Sequence, residues 1–126
     1  MMKLLLVGAG GFVGSILRYV MTGAVYRLFS QSPLFPYGTL AVNVLGCFVI
    51  GMLNSLAETR SLFQPELRLF VFIGLLGGFT TFSTFGYETF SLLRDGQHFS
   101  FWANILLHLV VGVFAVWLGH VVSRLI

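Results

Sequence analysis

Gly74-Leu75-Leu76-Gly77-Gly78-Phe79-Thr80-Thr81-Phe82-Ser83-Thr84-Phe85-Gly86 sits in the middle of an apolar run from about Leu67 to about Leu93. A bilayer core about 30 Å thick needs roughly 20 apolar residues per helix, so the run is long enough to cross one. Its centre is too rich in Gly, Thr and Ser for a plain lipid-facing helix. Paired glycines and a hydroxyl run lower helix propensity, and hydroxyls can bond the local backbone instead. The stretch therefore predicts a helix broken near Gly77–Thr81, at about mid-depth. Unwound backbone at that depth must be buried in protein or line a watery cavity. Broken helices at the midplane are a recurring device for binding ions. Gly74-xxx-Gly78 also reads as a small-residue packing face, but packing alone does not call for Thr80, Thr81, Ser83 and Thr84 together.

The rest of the chain has the same character. It has 126 residues, of which 57% are hydrophobic and only 9% charged. Soluble domains carry about 25% charged residues, so a soluble enzyme, a disordered segment and a fibrous repeat are all excluded. An integral membrane protein remains, read as a single transmembrane domain over residues 1–126 with no enzymatic role. Three further spans qualify, at about 4–26, 38–56 and 101–125, beside the one at about 67–93. The connectors Ser30–Pro36, Ala57–Glu66 and Arg94–His98 hold the prolines and most of the acidic residues. The first span lacks a small-residue cleavage pattern and outruns a typical apolar signal core. A net charge of +3 with no basic run argues against a nucleic-acid partner. The single cysteine, Cys47, can make neither an internal disulfide nor a metal cluster.

Lys3-Leu4-Leu5-Leu6-Val7 followed by Gly8-Ala9-Gly10-Gly11-Phe12-Val13-Gly14 imitates a strand and a dinucleotide-binding loop. That fingerprint needs an acidic residue about 20 positions later, and the first one here is Glu58. Gly10-xxx-Gly14 fits close helix packing in lipid better. Four spans place both termini on one side of the bilayer. Lys3, Arg60, Arg68 and Arg124 then lie on that side, against Arg27 and Arg94, with Arg18 if it reaches the opposite interface. The positive-inside rule works through Lys/Arg asymmetry. A bias this small allows insertion in either orientation, and hence an antiparallel dimer about a two-fold axis in the membrane plane. One weakly specified orientation is the plainer alternative.

In-membrane polar side chains are costly and face the bundle interior or an aqueous path. Thr39, Asn43 and Gly46 fall on one helical face, which Asn54 shares three turns on. Asn104 and His108 form an i, i+4 pair, and Ser83, Thr84 and Glu88 follow the expected break. Arg18 interrupts the first span. Each has a plain structural reading as well: interhelical bonding for Asn43, snorkelling for Arg18, a satisfied core histidine for His108, a helix-end carboxylate for Glu88. Together the hydroxyls and amides supply hydrogen-bond donors. Phe82 and Phe85 share a face, where they either pack or offer ring edges. Aromatic edges are positive, so edges beside donors suit a small dehydrated anion. A cation path would show carboxylate rings or converging carbonyls along its length.

The third-span motif, with Glu88 after it, resembles the signature of the Fluc (CrcB) fluoride channels. Gly38-Thr39-Leu40-Ala41-Val42-Asn43-Val44-Leu45-Gly46 is similar to that family's second span, and Gly10–Gly14 with Arg18-Tyr19 to its first. The resemblance implies an all-α membrane protein whose third of four helices is broken at mid-membrane. It implies an antiparallel, dual-topology homodimer in the bacterial inner membrane that conducts fluoride passively and protects the cell from its accumulation. By the same resemblance, a structural sodium ion sits at the dimer centre on the backbone carbonyls of Gly77 and Thr80. Phe82, Phe85 and Asn43 stand at pore-lining positions, and Thr39, Ser83, Thr84 and Glu88 along or beside the polar track. Arg18 belongs to a vestibule, where its charge raises the local anion concentration. The fourth span matches least well: Asn104 and His108 stand where hydroxyl-bearing pore residues are expected. Two other classes stay open, a small proton-coupled multidrug exporter and a non-transporting scaffold subunit. The exporter needs a carboxylate in the first span, and none is there.

Overall fold

The computed structural model describes residues 1–29, 35–60 and 63–126. Most of the expected loop Ser30–Pro36, and residues 61–62 of the loop Ala57–Glu66, lie outside them. Every regular element among the described residues is helical. Four stretches are long and apolar enough to cross a membrane: Met2–Leu28, Tyr37–Arg60, Pro65–Arg94 and His98–Ser123. The first two are α1 and α2. The third is composite, with residues 65–79 forming α3 and Phe82–Arg94 forming α4, and the fourth is α5.

Local chemistry sets these boundaries. α3 opens on Pro65, whose fixed φ and missing N–H suit a first helical position. Between Phe79 and Phe82 the chain is extended, with Thr80 at φ −81°, ψ 159° and Thr81 at φ −150°, ψ 113°. α4 then restarts with Thr81 as its N-cap, the side-chain oxygen accepting from the Thr84 N–H at 3.3 Å. It ends in a Schellman motif: Gly96 N–H bonds the Leu93 carbonyl at 3.1 Å, and Gln97 N–H bonds Leu92 at 2.9 Å. Gly96 adopts φ +73°, the left-handed conformation that the motif demands. Leu69–Leu76 in α3 and Leu107–Val111 in α5 are wound wide, with i→i+5 bonding. Such sections frequently mark functional positions.

Glycines draw the helices together in two pairs. α1 packs on α3, where a Cβ at Gly10 would meet the Phe70 carbonyl oxygen and lie 2.9 Å from the Gly74 Cα. A Cβ at Gly14 would collide with the Leu75 carbonyl oxygen, and one at Gly78 would lie 2.7 Å from the Gly11 carbonyl. The N-terminal glycines are thus a packing seam, and no strand precedes them. α2 packs on the C-terminal half of α5, with Gly51 against the Val116 carbonyl and Gly119 against the Phe48 carbonyl. Small residues at such interfaces let backbones approach closely, which is how helices associate when lipid is as apolar as leucine.

The single chain buries little. Among the described residues its largest fully enclosed side chains are Val42, Asn104 and Ser55. The buried residues of α1 are Gly10 and Gly14 alone. Large apolar side chains cover the outside of all four spans, as a lipid-facing surface requires.

Candidate functional site

The site is assembled around the extended pair Thr80–Thr81. In a continuous helix the Thr81 N–H would bond the Gly77 carbonyl. Here it donates to Oδ1 of Asn43 at 2.8 Å, while Nδ2 of Asn43 donates back to the Thr81 carbonyl at 3.1 Å. One amide side chain from α2 thus satisfies both backbone groups of a residue that has left the helix, which answers the need to pair every buried peptide group. The Gly77 carbonyl loses its helical partner as a result. Thr80 still closes the last turn of α3, its N–H and its hydroxyl both donating to Leu76 O at 3.0 Å. Its own carbonyl receives a long bond, 3.4 Å, from Nη1 of Arg18. Gly46 makes room for the excursion, since a Cβ there would collide with the Thr80 methyl group.

Two cavities meet at Thr81. The first, about 400 Å³, gathers Asn43, Gly77, Thr80, Phe82, Phe85 and His108, and its walls are mostly apolar. Phe82 and Phe85 are tilted at 46° with ring centroids 5.6 Å apart. Phe85 also packs on the His108 imidazole, centroids 4.4 Å apart. The second cavity, about 660 Å³, gathers Arg18, Tyr26, Thr39, Thr84 and Glu88. Glu88 Oε1 accepts from the Thr39 hydroxyl at 2.8 Å and from the Tyr26 hydroxyl at 3.4 Å. Its other oxygen is buried without a protein partner.

The sequence-derived candidates therefore fall into two groups, with three outside both. Ser83 is exposed and lines neither cavity; its hydroxyl is 3.4 Å from that of Thr81. Asn104 is wholly enclosed and lines neither. Its amide donates to the Thr89 hydroxyl at 2.9 Å, which in turn donates to the Phe85 carbonyl at 2.6 Å. Asn104 thereby braces the backbone that carries Phe85. Asn54 belongs to the far end of α2, where it bonds Glu58 Oε1 at 2.8 Å.

Sequence reasoning passed over Thr81 as a site residue, although it touches both cavities, and over Tyr26 and Thr89. A signal for Tyr26 was present: Arg18, Thr22 and Tyr26 are spaced four apart in α1, and all three line the second cavity.

Comparison with known proteins identifies the family. The model for "CrcB-like protein, Camphor Resistance (CrcB)" matches residues 5–120. The chain belongs to the CrcB family. A protein of Geobacter sulfurreducens named fluoride-specific ion channel FluC is 46% identical over 124 residues, 98% of each chain. Fluoride-specific ion channel FluC 1 of Methanosarcina acetivorans is 44% identical over 96% of this chain and 90% of its own. The FluC protein of Campylobacter jejuni strain 81-176 is 46% identical over 96% of this chain and 97% of its own. These matches run the length of the CrcB fold. They take in the glycine seam, the α2 polar face and the Thr80–Thr81 interruption alike.

Proposed function

We propose that this CrcB chain is a fluoride channel that exports the anion passively across the bacterial inner membrane and so confers fluoride resistance. The observation that carries the reading is full-length similarity, at 44–46% identity, to proteins named as fluoride-specific ion channels. The local chemistry supports it. Thr84 and Arg18 offer donors in one cavity, where the Thr39 hydroxyl proton is already given to Glu88, and the rings of Phe82 and Phe85 stand in the next. Ring edges and hydroxyl donors replace the water that a small halide must shed. No carboxylate lies in α1, which removes the group a proton-coupled exporter of this size would need.

The working unit in this reading is an antiparallel homodimer. Gly77 and Phe82 flank the interruption, and both are exposed on the single chain, Phe82 by 83%. Non-helical backbone at membrane depth must be covered by protein or water, and a second copy supplies that cover. The weak charge asymmetry of the connectors permits the two opposed insertions. A sodium ion at the centre fits the residues present. The Gly77 carbonyl has given up its helical partner, and the Thr80 carbonyl holds only a long bond to Arg18. Among the described residues no cluster of His, Cys, Asp or Glu competes for a metal. A bound monovalent cation would supply positive charge that relieves carbonyl repulsion in a low-dielectric interior. It is structural in this reading and not conducted.

The test is efflux from liposomes. Purified protein is expected to release fluoride down a voltage gradient and to retain chloride. No protein-dependent fluoride release, or release only when coupled to protons, would falsify the channel reading.

A further inference from the structure

His108 is the one titratable ring in the first cavity, and its hydrogen bonding fixes what it can offer there. Nδ1 lies 2.9 Å from the Asn104 carbonyl oxygen, one turn back on α5. A carbonyl only accepts, so Nδ1 carries the proton. In the neutral ring the other nitrogen, Nε2, is then a bare lone pair. Nε2 sits on the ring edge farthest from the backbone, is buried, and has no hydrogen-bond partner. The ring packs on Phe85, one of the two phenylalanines of the same cavity. A neutral His108 therefore offers only an acceptor from Nε2, beside a cavity where an anion needs donors. Only the imidazolium, with an N–H on each nitrogen, presents a donor from Nε2.

The surroundings leave this choice to the ring itself. From α2 the cavity receives Asn43, Gly46, Cys47 and Ile50; from α3, Phe72, Leu76 and Gly77; from α4, Phe82 and Phe85; from α5 itself, Leu109. Cys47 is the only other titratable group among them, and none carries a fixed charge. Arg18 and Glu88 line the neighbouring cavity, which shares Thr81.

We propose that His108 is a fluoride ligand only in its doubly protonated form, so that the anion and a proton occupy this part of the path together. The inference rests on the channel reading above and adds a regulation to it. Acid on the side that feeds the path speeds conduction, and neutral or basic conditions slow it. Fluoride and the proton also favour each other's binding, because linkage between two ligands is reciprocal.

Voltage-driven fluoride efflux from liposomes, with the leak of protein-free liposomes subtracted at each pH, tests this. The wild-type rate is expected to rise about threefold or more as the pH is lowered from about 8 to about 5.5. His108→Gln keeps a side-chain N–H at every pH, and its rate is expected to be flat across the same range. Imidazole ¹⁵N resonances of the wild-type protein in lipid give a second readout independent of the variant. Added fluoride should raise the protonated fraction of His108 at fixed pH, and chloride should not. A wild-type rate independent of pH, a His108→Gln rate that still rises with acid, or a His108 signal indifferent to fluoride each overturns the assignment. The first leaves the channel itself standing. A chain that passes no fluoride at any pH removes both.

Discussion

At the scale of single residues, Asn43 and Phe85 divide the labour of the site. Asn43 acts on the backbone: it replaces the helical bonds that Thr81 gives up, and so holds the interruption open. Asn43→Ala leaves a buried N–H and a buried carbonyl without that partner. A cost of about 1–3 kcal/mol is expected for each unsatisfied group, measurable as a lower unfolding midpoint in detergent, together with loss of fluoride flux. Phe85 acts on the cavity, between Phe82 and His108. Phe82→Ile and Phe85→Ile keep apolar bulk but remove the polarised ring edge. Each is expected to suppress fluoride flux while the protein elutes as a dimer. Unchanged flux in both would take the rings out of the path. Spacing placed Thr39 and Asn43 on one face of α2, yet their partners Glu88 and Thr81 lie 49 and 38 residues away. No periodicity carries that information. It comes from the glycine contacts that set how the helices sit.

At the scale of elements, the contrast between glycines is informative. Gly14 has no room for a methyl group beside the Leu75 carbonyl and Phe79 N, whereas a Cβ at Gly23 in the same helix meets nothing within 4 Å. Gly14→Ala must push α1 off α3, and overpacking of this kind costs about 1–3 kcal/mol. Gly23→Ala should instead be neutral or stabilising by up to about 1 kcal/mol, since alanine is the better helix former. Thermal unfolding of the two variants side by side checks both signs. Span count was legible because it needs only hydropathy and length, and the chain supplies both four times over. The packing seam was legible because Gly10 and Gly14 repeat at one-turn spacing. The wide windings in α3 and α5 were not legible. Leu69–Leu76 and Leu107–Val111 are ordinary apolar sequence, and nothing in their local pattern calls for the wider pitch. The role of Asn104 was hidden for a related reason: its i, i+4 relation to His108 pointed along α5, while its side chain reaches across to Thr89.

At the scale of the whole molecule, the proposed dimer and its central ion are coupled. Carbonyls aimed at a common centre repel one another unless a cation sits between them, and removing water sharpens the repulsion. Replacing sodium with a large organic cation is therefore expected to weaken the dimer, read as a lower melting midpoint and a monomer fraction in gel filtration. Restoring sodium should reverse both, and indifference to the exchange would remove the ion from the assembly. The two opposed insertions have their own measurement. A cysteine label introduced at the C-terminus should be reached by an impermeant reagent from both faces of the membrane, in about equal amounts, given so slight a bias in the flanking charges.

The exposed flanks of the Thr80–Thr81 pair have a consequence for how such a protein is made. A freshly inserted copy that has not met its mate leaves the edges of an unwound segment in contact with oil. If the working unit is the proposed dimer, solitude is a costly state, and pairing becomes part of maturation rather than an option exercised later. Cells that make too little of the chain to pair it promptly would be expected to lose it to membrane quality control. Steady-state abundance should consequently climb more steeply than synthesis rate.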